Sequence, residues 1–277
     1  MDRTTTLSRI IGVGLYAAIV IVVMLPLSWA LFGSLKPQSE MFAYPPTLLP
    51  QDLSFRAYAE VLERTPMGLY LLNSLIVTCV STLVVLFFAA LAAYGFSRWQ
   101  FGGKDFVMVS LLVCQLIPHA VTIIPYYVMM NALDLLNTRT GLILIFSATH
   151  IPFAVWILKG HFDTIPQTLD EAAIIDGCSR LRILWTVTLP LSLPAIGAAA
   201  CLTFITVWAE FLVPMVIANA SETTLVSVGL YNLFGRDTTT FYNQLFAAAV
   251  MATAPVVIVY LIAQEQFISG LTGGAEK

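Results

Sequence analysis

Six stretches of this chain run for eighteen residues or more without an Asp, Glu, Lys or Arg: 10–35, 65–97, 106–133, 140–158, 183–209 and 238–264. About 20 apolar residues in helical form cross the hydrocarbon core of a bilayer, so each run is long enough to span it. Backbone donors and acceptors cannot be left unpaired in lipid, and the runs lack the alternation of barrel strands, which leaves helices. The composition agrees, at 58% hydrophobic and 10% charged residues, where a soluble domain carries about 25% charged. The expected architecture is an all-α membrane protein. It forms a single integral domain over residues 1–277, with six transmembrane helices at about 10–32, 69–94, 106–130, 141–160, 191–218 and 243–266.

The first run follows Arg3 and Arg9 but continues to Phe32, well past the roughly 7–15 apolar residues of a cleaved signal core, so it reads as an uncleaved helix. Alternate loops divide the cations eight to five. Arg3, Arg9, Arg98, Lys104, Lys159, Arg180, Arg182 and Lys277 lie on one side, and Lys36, Arg56, Arg64, Arg139 and Arg236 on the other. The bias places both termini, and the loop 161–190, in the cytoplasm. Cys79, Cys114 and Cys201 fall in spans and Cys178 in that loop, without metal-type spacing. A net charge of −3 with no block of like charge gives no reason to expect nucleic acid as a partner.

On the opposite side, Pro37, Pro45, Pro46 and Pro50 predict an extended segment. Ser54 to Arg64 then places Phe55, Tyr58 and Leu62 at helical spacing, a short surface helix whose apolar face either receives a partner or packs on its own bundle. The polar loop 219–243, with Asn219, Ser221, Glu222, Arg236 and Asp237, is a second external docking candidate.

The loop 161–190 carries the most local information. Thr168 and Glu171 have capping-box spacing, and Asp170 and Glu171 put negative charge at a helix N-terminus. Gly177 allows a sharp turn at the helix end, after which Leu181, Leu184, Trp185 and Thr188 share one side of a second helical stretch. Pro190 and Pro194 predict a bend where the chain returns to the membrane.

Glu171-Ala172-Ala173, then Asp176-Gly177, then a nine-residue gap and Val187-Thr188-Leu189-Pro190, resembles the signature loop of the membrane subunits of bacterial ABC importers, with Val187 where that family usually has isoleucine. Further matching stretches are Ser34-Leu35-Lys36-Pro37, Asn73-Ser74, Ala93-Tyr94-Gly95-Phe96-Ser97-Arg98, Asn137-Thr138 before Gly141-Leu142-Ile143-Leu144, and Pro152-Phe153 with Trp156. They cover nearly the whole chain and are similar to the second permease of maltose-type sugar importers. The resemblance implies the type I ABC importer permease fold, in a bacterial cytoplasmic membrane. It makes 161–190 a coupling loop in which Glu171, Ala172, Ala173, Asp176, Gly177, Leu189 and Pro190 engage an ATPase. It also implies as partners two ATPase subunits that bind ATP and Mg, a second homologous permease and an extracytoplasmic solute-binding protein.

Where the family often has Trp-Asn-x-Phe, this chain reads Trp208-Ala209-Glu210-Phe211. A charge in a span costs about 2.5–3.5 kcal/mol on insertion scales and normally faces a bundle interior or a watery cavity. Thr203, Thr206 and Glu210 fall on one helical face, Gln115 and His119 share a face despite a bend at Pro118, and His150 lies one turn from Phe153. Sugars need matched donors and acceptors beside flat apolar surfaces. Gln115, His119, His150, Thr203, Thr206, Trp208 and Glu210 are therefore the candidates for a sugar path, and hydrogen bonding between helices is their structural alternative. Gly102-Gly103-Lys104-Asp105 lacks the spacing and hydroxyl of a phosphate-cradling loop, so the chain is expected to hold no nucleotide, no metal and no catalytic residue of its own. A self-contained secondary transporter or channel is the rival reading. The absence of a detectable inverted repeat argues against it, and a metalloenzyme built on His119, His150 and Glu210 lacks local ligand spacing.

Overall fold

In the computed structural model, residues 3–234 and 241–272 are described; every element among them is helical. Among the described residues four helices are long and apolar enough to cross a membrane, and six spans result if each of two sharply bent pairs counts as one. The chain divides into two compact units, one from Met1–Gly68 with Leu230–Thr253 and the other from Leu69–Gly229 with Ala254–Lys277.

The first unit contains α1 (Arg3–Ser34), a 3-10 turn (Glu40–Phe42), α2 (Arg56–Arg64) and the start of α13 (Tyr242–Thr272). The Ser34-Leu35-Lys36-Pro37 stretch folds the proline-rich segment back on the end of α1. Ser34 Oγ lies 2.7 Å from Tyr58 Oη, and the Leu35 carbonyl accepts from the Ser54 amide at 2.8 Å. Lys36 is buried, donates to the Thr47 carbonyl and hydroxyl, and lies over the Trp29 ring. Helix α2 does not bury Phe55 and Leu62 against its own bundle, which leaves the alternative of a face open to a partner. Ala57 and Val61 are buried, whereas Phe55 and Leu62 remain 70% and 51% exposed. The small pair sits on the inner face, while Tyr58 is drawn to Ser34.

The second unit is built around α3 (Met67–Arg98) and α6 (Arg139–Phe162). One core, which includes Val85, Ala89, Tyr94, Leu158, Phe162 and Leu184, lies toward the C-terminal ends of these helices. Another, with Val77, Met130, Phe146, Val207 and Ile217, lies toward the α3 N-terminal half. Several matched motifs now have physical explanations. Buried Asn73 donates to the carbonyls of Glu222 and Thr224, and Ser74 Oγ accepts from the Val226 amide, so the start of α3 holds the segment before α12 (Val226–Phe234). Asn137, at φ 55°, accepts from the amides of Asn219 and Ala220, while Thr138 caps α6 by accepting from the Gly141 amide. A Cβ on Gly141 would lie 2.5 Å from the Leu135 carbonyl oxygen, so only glycine fits.

Two expected spans are broken rather than continuous. The third becomes α4 (Lys104–Gln115) and α5 (His119–Ala132), set at 97°. Pro118 lacks an amide and pushes Ile117 out of helical geometry, so the chain leaves α4 through Leu116 and Ile117. The fifth, expected over 191–218, ends early: α10 (Leu193–Ala209) stops before Glu210, and α11 (Leu212–Ile217) follows. Before α10 come α7 (Gln167–Ile175), α8 (Arg180–Ile183), a π-helical turn (Leu184–Thr188) and α9 (Leu189–Leu191). The stretch Arg180–Leu191 meets α10 at 81°, at the bend that Pro190 and Pro194 predict. In the 219–243 loop, Arg236 and Asp237 lie outside the described residues.

Candidate functional site

Helix α7 begins differently from the capping-box expectation. Pro166 occupies the N-cap and Gln167 opens the helix, so neither Thr168 nor Glu171 caps it. Proline's fixed φ suits the entry to the helix, and the Leu169 amide turns back to the Pro166 carbonyl at 3.2 Å, so the first turn closes without a side-chain cap. The other end conforms. Gly177 has φ 81°, its amide donates to the Ile174 carbonyl at 2.9 Å, and the Cys178 amide donates to the Ala173 carbonyl at 2.9 Å. This pair of bonds closes the last turn in a Schellman motif. Ser179 Oγ then accepts from the Arg182 amide and starts α8.

Within α7 only Asp170 is buried, and Ala173 is half-buried; Glu171 and Ala172, like Asp176 and Gly177 beyond it, are exposed. Ile175 is 87% exposed, Leu169 and Ile174 about half as much. A short helix that offers isoleucine and leucine beside small and acidic residues is a surface shaped for contact. Leu189 and Pro190 lie elsewhere: Leu189 packs against the core containing Leu158 and Leu184, and Pro190 is exposed at the bend before α10.

A second feature lies at the break between α4 and α5. A cavity of about 460 Å³ is lined there by Gln115, His119, Thr122, Tyr126 and Thr149, with Ile117, Met129 and Leu144 as apolar walls. Gln115 Nε2 donates to the Thr149 carbonyl at 2.7 Å. His150, half-buried next to Thr149, holds its Nδ1 2.8 Å from the Phe146 carbonyl. A ring nitrogen that bonds a carbonyl carries the proton, which leaves Nε2 of the neutral ring as an acceptor. Glu210 sits at the gap between α10 and α11, where its Oε1 accepts from the amides of Leu212 and Val213 at 3.2 and 3.4 Å and so caps α11.

Of the seven path candidates, Gln115 and His119 therefore share the cavity, His150 adjoins its Thr149 wall, and Glu210 lies at the α10–α11 gap. The stripe expected of Thr203, Thr206 and Glu210 does not form, because α10 ends at Ala209 and Thr203 is buried. Thr206 is exposed but returns its hydroxyl to the carbonyls of Leu202 and Thr203. Trp208 is buried and stacks on Phe204 with ring centroids 5.7 Å apart. Thr122 and Tyr126 were legible in principle, three and seven residues after His119 on one face of α5.

Residues 85–272 match the family described as binding-protein-dependent transport system inner membrane component. This chain belongs to that family. The sulfoquinovosyl glycerol transport system permease protein SmoH of Agrobacterium fabrum is 32% identical over 92% of this chain and 89% of its own length. The trehalose/maltose transport system permease protein MalG of Thermococcus litoralis is 32% identical over 99% of both chains. Among solved structures, a chain of a bacterial ABC transporter involved in the import of the acidic polysaccharide alginate superimposes with a TM-score of 0.86. That match covers 96% of this chain and 99% of the other at 24% identity, a likeness of fold. This binding-protein-dependent transport component is a permease subunit of an ABC importer and lies in the inner membrane.

Proposed function

We propose that this permease subunit moves a sugar or a related polyhydroxylated solute, and that α7 with its Gly177 turn is the coupling helix on which an ATPase subunit acts. The exposed apolar and acidic face of α7 carries the reading: its side chains, Asp170 and part of Ala173 apart, are left open to a partner. Two ATPase subunits supply ATP and Mg binding and all hydrolysis. A second, homologous permease completes the path, and both termini of this chain face the cytoplasm. The names of relatives support the solute class, since SmoH and MalG are named for a sugar glycerol and for trehalose and maltose.

The cavity beside Gln115 and His119 supports a solute path through this subunit. Leu116 and Ile117 are non-helical and 79% and 48% exposed within an otherwise apolar stretch. Such backbone is tolerated at membrane depth where it is buried in protein or lines a water-filled cavity. Discontinuous helices at that depth are a common way to build a solute site. Gln115, His119 and Tyr126 provide donors and acceptors for hydroxyls, and Ile117 and Met129 provide apolar walls. An extracytoplasmic binding protein delivers the solute against the exposed Leu62 of α2, Phe55 just before it and the neighbouring loop.

The mechanism is a shift of populations. ATP favours the state in which the ATPases close, α7 moves with them, and the cavity changes the side to which it opens; solute and ATP each bind one state better than the other. Reconstitution of this chain with its ATPase and second permease tests the reading. Transport must require all components, and Glu210→Gln, which keeps the acceptor that caps α11 but removes the charge, must change substrate-stimulated ATPase activity. Transport by this chain alone contradicts the proposal.

A further inference from the structure

Arg98 ends α3, and Asp170 lies in the first turn of α7. Arg98 Nε stands 2.7 Å from Asp170 Oδ2, with both side chains only 3% exposed. The same guanidinium reaches a third helix: Nη1 donates to the carbonyl of Phe162, the last residue of α6, at 3.0 Å. Tyr94 Oη adds a donor to Asp170 Oδ2 at 3.3 Å. The placement suits the helix dipoles, since the cation lies at the C-terminal ends of α3 and α6 and the carboxylate at the N-terminal end of α7. A second hook lies beyond the Gly177 turn. The Arg180 guanidinium sits 5.7 Å over the Trp99 ring, and Trp99 meets Tyr94 edge to face at 5.7 Å.

Almost every other side chain of α7 is exposed, so these contacts form its hold on the membrane helices. A buried charge pair that also satisfies a helix-terminal carbonyl resists sliding, because moving either partner alone strands the other in a dry setting. We propose that Arg98 is a positioning residue: through Asp170 and the Phe162 carbonyl it fastens α7 to α3 and α6, so that a displacement of α7 is carried into both. This rests on α7 being the docking helix for the ATPase. Arg98→Lys keeps the charge but has no planar fork to hold Asp170 and the Phe162 carbonyl together.

The test measures, in the reconstituted importer, solute moved per ATP hydrolysed for the wild type, Arg98→Lys, Asp170→Asn, and the exchange Arg98→Asp with Asp170→Arg, alongside ATPase co-purification. Arg98→Lys and Asp170→Asn are expected to retain the ATPase while the ratio falls about threefold to tenfold, the scale on which substitutions along a physical network alter coupling. The exchange is expected to recover assembly lost in Arg98→Asp alone, because neither charge is then stranded, but not the ratio, because a carboxylate at position 98 cannot donate to the Phe162 carbonyl. A wild-type ratio in both Arg98→Lys and Asp170→Asn overturns the positioning role and leaves the docking reading standing. An ATPase that assembles and works equally well when the exposed face of α7 is replaced sinks the docking reading instead. Where a single charge change prevents assembly, assembly regained in the exchange supports the pair, and an exchange as defective as its single changes counts against it.

Discussion

Gln115, the last residue of α4, donates its side-chain amide to the Thr149 carbonyl in α6 at 2.7 Å. The bond fixes one wall of the cavity at the point where the α4 ladder has already ended, so the amide supplies an order that the backbone there does not. Gln115→Leu removes the donor and is expected to lower stability by about 1 kcal/mol, read as a lower Tm of the purified assembly. Gln115→Glu sets a carboxylate against the carbonyl and is expected to impair transport more than Leu does, measured as initial uptake in vesicles. Equal uptake for both variants and the wild type would remove Gln115 from the path.

Gly177 turns the chain at φ 81°, with no other atom within 4 Å of where a Cβ would lie. A substitution is therefore penalised by backbone conformation rather than by crowding. Gly177→Val is expected to cost more than about 1 kcal/mol locally, to leave membrane insertion intact, and to reduce ATPase association or solute moved per ATP. Gly177→Asn, which tolerates the left-handed region, is expected to retain more of both. Identical behaviour of Asn and Val would mean that the turn geometry does not matter to coupling.

Asn73 holds two backbone carbonyls, Glu222 and Thr224, at 2.9 and 3.0 Å from its Nδ2. Asn73→Ala removes the donor from both, and leaving the buried Thr224 carbonyl unpaired costs about 1–3 kcal/mol. The expected result is a lower thermal midpoint together with faster proteolysis near 219–225, and unchanged cleavage there would contradict the clamp.

The spans were legible because absence of charge over a membrane thickness is a one-dimensional property. The helix breaks were only partly so. Pro118 announces that a donor is missing, but the 97° turn is set by what α4 and α5 pack against. Glu210 looked like the third member of a stripe because periodicity assumes a helix that continues, and α10 stops at Ala209. The Gly177 turn could be read locally, since a left-handed turn leaves a glycine behind. The burial of Asp170 could not, because its partner Arg98 is 72 residues away and a carboxylate in a first helical turn is ordinarily a solvated one.

Glu60 carries a prediction about pH. The Arg56 guanidinium, 2.7 Å away, and the Gln244 amide, also at 2.7 Å, hold its carboxyl below the ordinary carboxylate range. As the pH falls, the unfolded carboxyl takes up its proton first. The stabilising contribution is therefore complete above the ordinary range and is lost as the pH drops through the lowered folded value. Hydrogen exchange in α2 is expected to quicken across that acidic window, and Glu60→Gln is expected to flatten the response. A pH response unchanged by Glu60→Gln would assign it to another group.

The coupling role of α7 is tested most directly by a cysteine at its most exposed apolar position, Ile175→Cys, in a background with Cys178→Ser, reconstituted with the partner subunits. The expected result is a cross-link to the ATPase whose yield changes when ATP is added, with labelling by a membrane-impermeant thiol reagent from the cytoplasmic side. Labelling from the external side, or no cross-link to the ATPase in an importer that still transports, would contradict it.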